Sequence, residues 1–174
     1  LSGVGKSPSK LDMSRILSMN ETYIKTIDEK DLFTHFKRYA ENYKKAFDVS
    51  KENSLIKSMN FLKNKAKTLE DIFNNAQYLI NDEIKIDGED RKLIDDQSKL
   101  IIKDFIREYI KLSSLNKDSL ELIIRSLIDK HKTNFKGVGQ PLRIGLVGSK
   151  FGPGLYDVIL SLDKAVVSKR LNKI

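Results

Sequence analysis

Cysteine and tryptophan are absent from these 174 residues, and histidine occurs only twice, proline three times and glycine nine times. Without cysteine, neither a disulfide nor a thiolate zinc site can hold the chain together. His35 and His131 lie far apart, and neither has a serine or carboxylate placed to suggest nucleophilic catalysis. His131 followed by Lys132 reads instead as positive charge at a helix C-terminus. Paired carboxylates such as Asp95 and Asp96 point in different directions on a helix and read as a solvated face. No apolar run approaches the roughly 20 residues that span a bilayer, and no signal-peptide pattern opens the chain, so a reducing cytoplasm is the expected compartment. Strand-like alternation is almost absent as well. What remains is a helical chain with no catalytic constellation of its own.

The chain is 40% hydrophobic and 32% charged, enough to bury a core, and its net charge is +8. A basic surplus favours a polyanionic partner, because Lys and Arg gain affinity by releasing counterions from phosphates. The charge is unevenly spread. From His131 onward there are eight Lys or Arg against two Asp, whereas Asn81 to Asp96 carries seven acids against three bases.

Apolar residues recur at helical spacing almost throughout. Asp12 or Ser14 caps a helix expected to end at Asn20, and Asp28 caps one from Glu29 to about Ala46 with Leu32, Phe33, Phe36, Tyr39 and Tyr43 along one side. That aromatic stripe reads as core. Ser50 or Asn53 begins the next helix, and Thr68 with Asp71 forms a capping arrangement before Leu69 to Asn81. A single long helix is expected from about Arg91 to Leu112. Asn116 or Asp118 opens another to Lys132, Leu155 to Leu162 forms a short one, and Asp163 caps the last.

Two motifs that imitate ion sites fail on spacing. Gly3-Val4-Gly5-Lys6-Ser7 resembles the end of a phosphate-binding loop, but no strand or earlier glycine precedes it and Pro8 follows, so it reads as a linker. The acids between Asp82 and Asp90 do not form a calcium loop, since counting from Asp82 puts Gly88 seventh and Leu93 twelfth, where glycine and glutamate belong at six and twelve. They suit a helix N-terminus instead.

The scarce residues crowd together near the end. Gly139 to Tyr156, reading GQPLRIGLVGSKFGPGLY, holds five of the nine glycines and two of the three prolines, with one arginine among them. Pro141 can open a short helix, with Arg143 in its first turn and Gly148 closing it in a left-handed conformation, although Arg143 to Val147 could be a strand by composition. Gly152-Pro153-Gly154 then makes a tight connection leading Tyr156 into the next helix. An arginine beside an aromatic and a backbone-rich loop suits unstacked bases.

QPLR, a short apolar run ending in GS, and GPGLY together resemble the C-terminal anticodon-binding region of bacterial glutamyl-tRNA synthetases. Lys6-Ser-Pro-Ser-Lys-Leu-Asp12 and Met19-Asn20-Glu-Thr-Tyr-Ile24, more than a hundred residues earlier, resemble the connection leaving that family's catalytic domain. The resemblance implies an all-α, class I synthetase anticodon-binding fold: residues 1–11 a linker, 12–81 a first helical subdomain, 82–88 an acidic connection and 89–174 a second subdomain carrying the motif. It further implies contacts from Arg143, Gly152, Pro153, Leu155 and Tyr156 to the anticodon of a glutamate-accepting tRNA, Gly152 offering backbone only. Lys164, Lys169 and Arg170 are expected to meet phosphates or simply solvent. ATP and magnesium belong to the full-length ligase, whose signature sequences are not found in this stretch. A helical protein-interaction module without RNA specificity is the alternative, and a truncated nucleotide hydrolase a second.

Overall fold

In the computed structural model, which describes residues 12–43, 45 and 47–174, Asp12 opens the first helix by accepting a hydrogen bond from the Arg15 amide at 3.2 Å. The Gly3–Ser7 run, the 1–11 linker and Ala46 lie outside the described residues. Helix α1 (Met13–Thr26) runs past Asn20 instead of ending there. Asn20 donates its side-chain amide to the Lys67 carbonyl, so it makes a tertiary contact and leaves the helix intact.

Asp28 caps α2 (Glu29–Asn42) through the Lys30 amide at 2.9 Å. Leu32, Phe33, Phe36 and Ala40 are buried along it, so the phenylalanines of the aromatic stripe are core, while Tyr39 is half-buried and Tyr43 is exposed past the helix end. Asp48, and neither Ser50 nor Asn53, starts the next segment: it caps a single 3-10 turn, Val49–Lys51, that leads into α3 (Glu52–Leu62). The Thr68–Asp71 capping box forms as expected and opens α4 (Leu69–Asn75), followed by the short α5 (Gln77–Ile80).

The expected helix over 91–112 is instead two. α6 (Gly88–Arg91) is one turn, and α7 (Asp96–Lys111) starts afresh because Asp95 accepts the Ser98 amide at 2.7 Å. A good N-cap inside an apolar periodic run thus breaks it. Asn116, in a capping box with Ser119, opens α8 (Lys117–Lys130). Three helices finish the chain: α9 (Phe135–Val147), α10 (Leu155–Ser161) and α11 (Lys164–Leu171). There is no strand among the described residues.

Helix α2 packs on α3 and α4, while α7, α8 and α9 pack on one another; α10 lies against both α9 and α3, and α11 against α7 and α9. The buried side chains form one continuous cluster from Ile24 to Leu171. Each large member, Phe36 and Phe105 among them, contributes about 1.5–3 kcal/mol by leaving water. Polar ties cross the same ground. The Tyr78 hydroxyl and Ser161 Oγ are 2.9 Å apart, and Arg170 donates from Nη1 to the Leu146 carbonyl and from Nη2 to the Asn81 carbonyl, both at 2.8 Å.

Candidate nucleic-acid interface

The motif is built on α9, which begins six residues before the proline expected to start it. Asn134 accepts the Gly137 amide at 3.0 Å and caps the helix, leaving Pro141 in its interior at the seventh position. Proline there supplies no N–H to the Gly137 carbonyl and normally weakens a helix. Burial offsets that cost, since Val138, Pro141, Leu142, Ile144 and Leu146 all face the core. Glycine helps by close approach: a Cβ on Gly139 would stand 3.3 Å from the Phe135 ring, and one on Gly145 only 2.8 Å from Leu171.

At the other end the expectation holds. Gly148 closes α9 with φ +89°, and its amide donates to the Ile144 carbonyl at 2.9 Å. The loop that follows is tied down residue by residue. Asp90, at the far end of α6 and buried, accepts the Lys150 amide at 2.9 Å and pairs with the Lys150 ammonium at 3.3 Å. The Phe151 amide donates to Ser149 Oγ at 3.1 Å, and Gly152 takes φ +137°, a conformation that favours glycine. The Lys150 amide, with Lys150 and Ser149 side chains behind it, holds the Asp90 carboxyl below the usual aspartate range against the opposing pull of burial.

Arg143 rises from mid-α9, so it lies in the third turn and not the first. Its Nη1 donates to the Lys150 carbonyl at 3.3 Å, while its Nε is buried with no partner. Burial lowers its pKa from the ordinary guanidinium value, yet an arginine stays charged. Among the described residues no carboxylate lies within ion-pair distance of it. A half-buried cation without a counter-ion is therefore set into an open hollow of about 540 Å³ lined by Leu93, Phe135, Lys136, Gln140, Lys150 and Phe151. That size falls within the roughly 300–1,000 Å³ common for binding sites.

The structure divides the remaining expected site residues. Tyr156 is half-buried, its ring 6.1 Å from that of Phe135, and burial, reinforced by Glu121, raises its hydroxyl pKa. Leu155 is 2% exposed and belongs to the core, and Pro153 is buried too, so neither presents an apolar surface to a ligand. The exposed apolar side chains around the hollow are Leu93, Phe135 and Phe151, which are 42%, 47% and 73% exposed. The sequence conceals them because Leu93 reads as one more helical apolar residue, although Phe151 does stand inside the motif.

The basic residues divide likewise. Lys164 donates to the Ile110 and Leu112 carbonyls at 2.9 and 2.8 Å, closing the C-terminus of α7, and Arg170 is a buried clamp on two carbonyls. Only Lys169 of the three is exposed, and it lines a different hollow together with Lys51 and Lys173. Lys136 and Lys150 are the lysines beside Arg143. No group of three or more His, Cys, Asp or Glu among the described residues is placed to hold a metal ion, and no described helix is long and apolar enough to cross a membrane.

The described residues, all helix and connecting loop with a basic and aromatic hollow at the end of a capped helix, form an all-helical domain. More particularly, the sequence profile of the anticodon binding domain matches residues 31–174, and the chain belongs to that family. Over its whole length it is 60% identical to a glutamate–tRNA ligase of Pelagibacter ubique, of which it spans 38%. It is 29% identical to one of Syntrophus aciditrophicus, with 99% of the chain and 36% of that protein covered. The fold superposes on the crystal structure of a glutamate–tRNA ligase from Elizabethkingia meningosepticum with a TM-score of 0.79 at 19% identity, covering 98% of this chain and 33% of that one.

Proposed function

We propose that this chain reads the anticodon loop of a glutamate-accepting tRNA, as the RNA-binding part of a glutamate–tRNA ligase working in cytoplasmic protein synthesis. The observation that carries the reading is Arg143: a half-buried cation with no carboxylate partner among the described residues, opening into a hollow walled by exposed aromatic rings and two lysines. Such a group offers hydrogen-bond donors to a base edge, and rings offer faces for stacking. Arg143, Tyr156 and the Gly152 backbone would touch the anticodon, and Pro153 and Leu155 would support them from beneath. Of the lysines and arginine expected at phosphates, Lys169 keeps that role here, joined by Lys136.

The helices of 12–81 would form one subdomain and those of 89–174 the other, with 82–88 between them. Adenylation of glutamate, with its ATP and magnesium, would reside in the part of the longer relatives that this chain does not span, so the chain given glutamate, ATP and tRNA should form no charged product. The protein-interaction alternative is less well supported, because Phe33, Phe36 and Phe105 and most of the Leu and Ile residues of its aromatic and aliphatic stripes are occupied in this chain's own core.

The experiment is a titration with two anticodon stem-loops, one with the glutamate anticodon and one unrelated, at two salt concentrations. Tighter binding of the first at both salts, lost by more than about tenfold in Arg143→Ala with helicity unchanged, supports the reading. Equal binding of both loops that vanishes with salt would reduce the site to a general phosphate-attracting surface.

A further inference from the structure

Among the eight phenylalanines of this chain, Phe151 is unusual in being largely in water on a segment that is firmly held. Phe33, Phe36 and Phe105 are buried, and Phe135 is half exposed against Tyr156. An isolated exposed ring needs no explanation, but this one is mounted. Asp90, 6% exposed and sixty residues away in sequence, grips the Lys150 amide and ammonium together. That same ammonium sits 5.3 Å from the centroid of the Phe151 ring. On either side of the ring's own residue, the Ser149 hydroxyl accepts the Phe151 amide and Gly152 turns the chain at positive φ.

An aromatic ring has two faces, and a cation over one leaves the other for a flat ligand. Phe151 and Arg143 line the same hollow, so a planar group stacked on the ring lies beside the donors of the guanidinium. We infer that Phe151 is the base-stacking residue of this site, taking an unpaired nucleobase on its open face, and that Asp90 is its positioning residue, acting through Lys150. This rests on the RNA reading above and assigns the stacking surface to a residue other than the buried Pro153 and Leu155. A ring whose support is fixed before binding loses less freedom when the base arrives, which favours affinity.

The chain contains no tryptophan, so Phe151→Trp installs a single fluorophore at the point in question. Expected results with the glutamate anticodon stem-loop are affinity within about twofold of the parent and quenched emission, with no quenching by a fully paired duplex. Phe151→Ala is expected to weaken binding of the loop by about tenfold or more, with unchanged circular dichroism. Adding Asp90→Asn to Phe151→Trp should lower the quenching at saturating RNA, a readout that a purely structural carboxylate would not move in a protein that remains folded. Emission unaltered at saturation, or equal quenching by the duplex, overturns the stacking assignment. Quenching unchanged by Asp90→Asn overturns the part given to Asp90. If Phe151→Ala binds like the parent while Arg143→Ala does not, Phe151 is excluded and the RNA site stands; if both bind like the parent, the RNA reading falls and this inference with it.

Discussion

A Cβ placed on Gly148 would stand 2.5 Å from the carbonyl oxygen of Lys85, and Gly148 itself has φ +89°. The acidic segment and the end of α9 therefore approach as closely as glycine alone permits. Gly148→Ala combines left-handed strain of about 1–2 kcal/mol with overpacking of similar size, for about 2–4 kcal/mol of lost stability. The expected fall in Tm is roughly 5–15 °C for a domain of this length. An unchanged Tm would mean that the two segments separate without cost.

Arg170 and Lys169 are neighbours in sequence with opposite roles. Arg170→Ala leaves the Leu146 and Asn81 carbonyls without their donor, at about 1–3 kcal/mol. Arg170→Lys should recover only part of that, since one ammonium cannot span both acceptors in the geometry of a planar fork. Lys169→Ala, at an exposed position, should leave the urea midpoint unchanged and reduce only the salt dependence of RNA binding. Equal midpoints for Arg170→Ala and the parent would remove the clamp.

Local chemistry made much of the fold legible before any coordinates. Asp12, Asp28, the Thr68–Asp71 pair and Gly148 each announce a helix end through a side chain or backbone conformation contained within a few residues. The failures arise where distant residues decide. Asn20 reads as a stop, but Lys67 takes its side chain; Pro141 reads as a start, but Asn134 and a buried face carry the helix through it. Within the candidate site, Arg143 stands out in the sequence as the lone arginine of a glycine-rich stretch. The support from Asp90 was not, because nothing in the acidic run distinguishes the one carboxylate that reaches Lys150 sixty residues later.

Lys164 carries a smaller prediction of the same kind. Its ammonium donates to the Ile110 and Leu112 carbonyls at the end of α7, where the helix dipole is negative, and lies 5.8 Å from the Tyr109 ring centroid. Lys164→Ala should destabilise by about 1 kcal/mol, and Lys164→Met, which keeps an apolar stem but no donor, should lose nearly as much. Recovery by methionine would assign the effect to packing of the stem instead of hydrogen bonding.

Acid should loosen the loop that carries Phe151. The Asp90 carboxyl is held below its ordinary value chiefly by the Lys150 amide, so its folded-state pKa lies under the unfolded value of about 3.9. For a depressed carboxylate the unfolded chain binds the proton first as pH falls. The contribution to stability is therefore fully present above the unfolded value and disappears as pH drops through the folded one. Asp104, lowered mainly by Lys130, adds acid sensitivity of its own, so the informative quantity is the difference between parent and Asp90→Asn. That difference in urea midpoint should be widest near neutral pH and close as the pH falls through the folded-state value. A gap of constant size across the range would mean that asparagine's altered hydrogen bonding, and not the lost charge, weakens the hold on Lys150.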